Sequence, residues 1–235
     1  MPVFAKKKKV LVISPHPDDS DFGCAGTLAR LVREGSDVYE LILLDGSKGS
    51  HKTGFGGKKL ARIREREQKN AADVLGVSSV HFLRETDGEL ENTKKLRGAL
   101  VAFIRDLRPD IIFTFDPASS GFESTYRSHR DHRVGAETVF DAVYPAVGNI
   151  SFFPALLKKG LAPHQVEELW FFSSDSPNRF IDVSSTMQLK LQAVLSHESQ
   201  WFSLDQTKGH ILARARAAGK KKRVKYGEAF RVLVC

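Results

Sequence analysis

Short apolar runs alternate with amphipathic stretches along most of this chain, and that alternation limits the fold more than any other feature. Val10–Ile13, Val38–Leu44, Val77–Leu83 and Ile111–Phe115 each suit a buried strand and are too short for a helix core. Asp21–Glu34 puts Leu28, Leu31 and Val32 on one helical face and stops at Gly35. Lys58–Leu75 repeats the pattern with Leu60, Ile63, Ala71, Ala72 and Leu75, and Gly76 follows it. Asn92 reads as the cap of a third helix that runs to Leu107 and is closed by Pro109. Strands joined by amphipathic helices predict a Rossmann-like, doubly wound α/β fold, with a mostly parallel sheet and helices on both faces.

Beyond the fourth strand the pattern loosens. Asp116–Arg130 has no periodicity, and a long segment of that kind is more often functional than idle. A helix is expected over Asp131–Val147, short strands at Leu169–Phe172 and Phe180–Val183, a helix over Ser184–Trp201 and a final strand over Glu228–Cys235. Phe152–Pro163 reads as irregular, and the part after Asn149 as a less regular cap. With 235 residues, no repeat and no linker, the expectation is one domain over residues 1–235.

Composition narrows the class of protein. No stretch approaches the roughly 20 apolar residues of a membrane span. Met1–Lys9 is basic, but the apolar run behind it ends at Pro15, too soon for a signal-peptide core. A cytoplasmic protein is therefore expected. Its two cysteines, Cys24 inside a helix and Cys235 at the end, suggest no disulfide framework. The net charge of +8 is carried by one segment, because eight Lys or Arg and no acid lie between Gln206 and Gly227, and elsewhere 28 basic residues balance 28 acidic ones. This basic 208–225 segment reads as a solvated helix followed by a loop, or as a patch for an anionic substrate or partner. Nucleic acid is not the expected partner, since only Tyr226 interleaves the cations.

Chemistry concentrates in two places. Ser14-Pro15-His16-Pro17-Asp18-Asp19 leaves the first strand with one imidazole and two carboxylates within four residues, and Ser128-His129-Arg130-Asp131-His132 follows the fourth. If the strand order is 3-2-1-4, both segments meet at the carboxyl rim where the order reverses, the usual place for a ligand. Asp18, Asp19, Asp21 or Asp131 alone could be no more than helix caps. Together the two segments supply the two His, one Asp and open position that a catalytic zinc site needs. A nucleotide-binding reading fails for want of Gly-x-Gly-x-x-Gly after the first strand.

The sequence resembles the LmbE-like (PIG-L) family of zinc-dependent N-acetylglucosamine deacetylases. The matching segments are Pro15–Asp19 with Gly23–Leu28, Arg64–Glu67, Ala71–Gly76, Leu83–Gly88, His129–Gly135, Ser196–Gln200 and Tyr226–Arg231. The resemblance implies that His16, Asp19 and His132 hold one Zn2+ per chain, with Asp18 as general base. It implies that His129 steadies the oxyanion or protonates the leaving amine, that Asp131 orients His129, and that Arg64 and Asp87 grip sugar hydroxyls. The implied partner is a small amino-sugar substrate, and a homo-oligomer is open.

Three departures bear on the substrate. Ser20 and Asp21 stand where the family usually has Glu first, Arg130 replaces a Pro, and Lys48 stands near an expected acid. Lys48, Arg127, Arg130 and Arg133 hint at an anionic substrate. Competing readings are an amidase on another small N-acyl compound and an inactive basic binding protein of the same fold.

Overall fold

The computed structural model describes residues 2–50, 54–119, 122, 125–200 and 203–235. Seven strands form one sheet in the order β3-β2-β1-β4-β5-β7-β6. They are β1 (Lys9–Ser14), β2 (Asp37–Leu44), β3 (Ser79–Glu85), β4 (Ile111–Phe115), β5 (Glu168–Phe172), β6 (Arg179–Asp182) and β7 (Gly227–Val234). Strands β3, β2, β1, β4 and β5 pair in parallel, and β7 pairs antiparallel with both β5 and β6. The order 3-2-1-4, on which the meeting of the two chemical segments depends, is present. The part after Asn149 is no separate cap, because β5, β7 and β6 extend the same sheet.

The strands explain why the sequence reads as it does. Val10, Leu11, Val12 and Ile13 are all fully buried. Leu11 and Ile13 join one core cluster while Val10 and Val12 join the other, as alternating side-chain directions require. The first cluster packs α3 (Lys94–Leu107) and α4 (Arg130–Asp141) through Leu96, Leu100, Ile104 and Val139. The second packs α1 (Asp19–Arg33) through Leu28 and Leu31, and α2 (Gly57–Leu75) and α5 (Met187–Leu195) layer on α1 through Ala71, Leu75 and Ala193. Each fully buried Leu or Ile stabilises the fold by about 1.5–3 kcal/mol relative to exposure. Helix α6 (Leu204–Lys222) anchors Ile211 and Ala215 in a smaller cluster with Met187 and Val194.

Several element ends differ from the sequence reading. Thr93 rather than Asn92 caps α3, its hydroxyl accepting the Leu96 N–H, while Asn92 donates to Asp141. The helix expected to Val147 ends at Asp141 and gives way to a π-helical turn over 142–147. The cause is Pro145, which lacks an N–H and pushes Tyr144 to an extended φ/ψ of −124° and 121°. The helix expected over Ser184–Trp201 is shorter, α5 ending at Leu195 so that His197 can turn inward to Asp21; Trp201 lies outside the described residues. Cys24 and Cys235 are free thiols. Among the described residues no helix is long and apolar enough to cross a membrane.

Candidate active site

Because β2 and β3 lie on one side of β1 and β4 on the other, a crevice opens at the carboxyl ends of β1 and β4. Three loops converge there: His16–Asp18 after β1, Thr86–Leu90 after β3, and the segment before α4 that carries Tyr126 and His129. Gly135, one turn beyond His132, sets how close the two halves come. A Cβ at that position would lie 2.8 Å from Pro15 Cγ, so only glycine lets α4 press against the β1 turn. The ring of Phe115, the last residue of β4, stacks on His132 at 4.3 Å between centroids.

The hydrogen bonds decide which nitrogens point into the crevice. His16 Nε2 faces only acceptors, Asp131 Oδ2 at 3.1 Å and Asp87 Oδ1 at 3.2 Å, so it carries the proton. His132 Nδ1 faces the Tyr126 carbonyl at 2.5 Å and is protonated for the same reason. What remains are the lone pairs of His16 Nδ1 and His132 Nε2, directed at each other across 3.3 Å. Two acceptors cannot hydrogen-bond to one another; a proton or a metal cation has to lie between them. Asp19 completes the set, with Oδ2 3.2 Å from His16 Nδ1 and Oδ1 3.1 Å from His132 Nε2. Donors about 2.0–2.2 Å from a tetrahedral zinc would sit roughly 3.3 Å apart, so the donor set fits such an ion. The ring nitrogens of His16, His129 and His132 also lie within 4.8 Å of one another, as do donors of His16, Asp87 and Asp131.

Electrostatics at the site favour a cation. Burial opposes charge on His16, but hydrogen bonds to Asp131, Asp19 and Asp87 outweigh it and raise its pKa well above the usual value. Burial likewise pushes Asp19 up, and the His132 and His16 rings more than reverse this, leaving it well below the carboxylate range. Asp87 is held down at about 2, burial again being overcome by its bond to His16. Surroundings that hold a proton this firmly also suit a divalent metal.

Asp18 faces the same cavity and is not part of the donor cluster. It occupies a left-handed backbone conformation, φ 94°, with its N–H given to Gln68 Oε1 at 2.7 Å. Arg64 Nη2 lies 3.3 Å from its Oδ2 and donates to the Pro17 carbonyl at 2.7 Å. Burial raises the Asp18 pKa, partly offset by Arg64. His129 lines the same cavity and is exposed, and partial burial of its ring with the neighbouring His16 and His132 lowers its pKa. The resemblance gave Asp131 the task of orienting His129. Its backbone N–H reaches His129 Nδ1 at 3.2 Å, while its carboxylate turns to His16 and accepts the N–H groups of Gly88 and Leu90.

The cavity has a volume of about 710 Å³, and Arg64 and Asp87 line it with the catalytic candidates. Both are already engaged, Arg64 as above and Asp87 with His16 and the Lys48 N–H. The four cations that hinted at an anionic substrate are also committed. Lys48 pairs with Glu89 and Arg127 with Asp175, while Arg130 donates to the Leu90 carbonyl and Arg133 to that of Ser128.

Sequence reading missed the parts that steady this site. Tyr126 holds both His132, through its carbonyl, and Asp19, through its hydroxyl at 3.3 Å. Gln68 bridges Asp18 to two buried acids, its amide donating to Asp21 Oδ2 at 3.1 Å and Glu40 Oε2 at 2.9 Å. His197 Nε2 lies 2.8 Å from the same Asp21 oxygen. Burial and the adjacent Asp21 push Glu40 up to about 8. Glu40 left one visible signal, an acid in the otherwise apolar strand Tyr39–Leu44.

The model of the PIG-L family, described as GlcNAc-PI de-N-acetylase, matches residues 11–143, which include the whole donor cluster. The chain belongs to the PIG-L family. Within it, the chain is 40% identical over 202 residues to the diacetylchitobiose deacetylase of Thermococcus kodakarensis, covering 84% of this chain and 72% of the relative. A probable N-acetyl-alpha-D-glucosaminyl L-malate deacetylase 2 of Bacillus anthracis is 25% identical, over 83% of this chain and 82% of that one. Among PIG-L structures, the N,N'-diacetylchitobiose deacetylase of Pyrococcus horikoshii superposes with a TM-score of 0.91 at 32% identity, covering 98% of this chain and 85% of the other.

Proposed function

We propose that this PIG-L protein is a metal-dependent hydrolase that removes the acetyl group from an N-acetylglucosamine-type sugar, releasing acetate and a free amine. The observation that carries the reading is the convergence of the two imidazole lone pairs and the Asp19 carboxylate, with Asp18 beside them and outside the cluster. The activity of the Thermococcus and Pyrococcus relatives supports the substrate class. His16, Asp19 and His132 would hold one zinc per chain. Bound there, zinc supplies Lewis acidity, which polarises an amide carbonyl and makes water acidic near neutral pH.

The chain's own groups then divide the work. Asp18, its pKa raised by burial, is a stronger base than an exposed aspartate and takes the proton of the attacking water. The same carboxyl can return that proton to the departing amine. His129, its Nδ1 occupied by the Asp131 N–H, presents Nε2–H to the oxyanion as the carbonyl carbon becomes tetrahedral. Its lowered pKa keeps it a neutral donor near pH 7. Arg64 and Asp87 line the cavity where sugar hydroxyls would lie. The test is acetate release from N-acetylglucosamine by zinc-loaded protein. Release that depends on metal supports the reading, and release of amine only from non-sugar N-acyl compounds replaces it with the amidase.

A further inference from the structure

A second cavity, of about 620 Å³, adjoins the catalytic one and shares Asp18 and Tyr126 with it. Its far wall is α6. Ile211 and Ala215 bury one stripe of that helix, which turns His210 and Arg214, four residues apart on one face, toward the cavity. Both also line a third cavity of about 280 Å³ running on toward β7. The Arg214 charge is close enough to Tyr126 to act on its hydroxyl.

The basic segment divides by task. Lys220, Lys221 and Lys222 stand in the last turn of α6, where they offset the helix dipole, and Lys222 donates to the Phe180 carbonyl. Arg216 and Lys225 lie over the Tyr226 ring. Arg214 has neither a carboxylate nor a carbonyl partner among the described residues, and the single acid lining its cavity is Asp18. Ser173, at the end of β5, adds a buried hydroxyl with no partner among the described residues. Phe22 and Tyr126 supply apolar walls.

Resting on the deacetylase reading above, we infer that this second cavity is a specificity subsite for an anionic substituent, a carboxylate or phosphate, carried by the amino sugar. The Arg214 guanidinium takes the anion through paired N–H donors, His210 and the Ser173 hydroxyl add to it, and the aromatic walls take the linking atoms.

Binding and turnover separate the two claims. Calorimetry compares glucosamine 1-phosphate with glucosamine, and a carboxymethyl glucosaminide with its methyl counterpart, on zinc-loaded wild type and on Arg214→Gln and Arg214→Lys. The inference expects the anionic member of at least one pair to bind tenfold or more tightly, a preference lost in Arg214→Gln and partly kept in Arg214→Lys. The ratio of kcat/KM for the matching N-acetylated substrates should fall in parallel, through KM. Equal binding of charged and neutral members, or a preference unchanged in Arg214→Gln, overturns the subsite whether or not acetate is released. An Arg214-dependent preference without acetate release keeps the subsite and rejects the deacetylase.

Discussion

The imidazole of His16 and the carboxylate of Asp131 meet 3.1 Å apart across the crevice, Nε2 to Oδ2, joining the loop after β1 to the start of α4. That contact determines the face His16 offers: with Nε2 committed, Nδ1 is the nitrogen turned toward Asp19 and His132. Asp131→Asn keeps the shape but removes the charge that holds His16 in this tautomer. Zinc affinity is expected to drop about 10–100-fold. Competition titration with a chelating dye measures it, and unchanged affinity would count against the role given to Asp131.

Asp18→Asn separates base from ligand. Since Asp18 stands outside the donor cluster, zinc content should remain near one per chain while kcat falls about 10²–10⁴-fold. Metal analysis and acetate release on the same preparation decide it. Loss of zinc in this variant would make Asp18 a ligand instead.

Gly135→Ala probes the packing that brings the two halves together. The added methyl would press on Pro15 at 2.8 Å. Overpacking of that kind costs about 1–3 kcal/mol and moves α4, with His132, away from His16. A lower Tm and weaker zinc binding are expected together. A stable variant with normal zinc affinity would show that the contact does not set the site.

Glu40 makes stability depend on pH. Its folded pKa of about 8 lies above the ordinary 4.5, so between those values the folded chain holds a proton that the unfolded chain has lost. The stabilisation is complete below pH 4.5 and is lost as pH rises through 8. Glu40→Gln, which stays neutral, should exceed wild type in Tm at pH 9 and lose the advantage toward pH 5. Thermal melts across that range test the sign.

Much of the frame was legible because it rests on periodic burial. Val10–Ile13 and Ile111–Phe115 announce strands buried on both faces, and the helices between the strands imply that they pair in parallel. The two halves of the site were legible for the same reason, since strand ends at a switch point place His16 and His132 on one rim. Side-chain directions in the loops were not. Nothing in the spacing of Asp87 or Asp131 says that both carboxylates turn to His16, because tertiary contacts alone aim them. Gln68 reads as an ordinary polar residue on a helix until α2 packs on α1 and sets it between Asp18 and Glu40. The end of α5 was not legible, because the bond between Asp21 and His197 joins residues far apart in sequence.

Acetate release from N-acetylglucosamine and N,N'-diacetylchitobiose, followed before chelation, after it and after zinc is returned, decides whether the His16, Asp19 and His132 cluster supports metal-dependent deacetylation. Release should disappear with the metal and return with one zinc per chain. Release that survives complete removal of metal, or none from either sugar with zinc bound, would contradict that role.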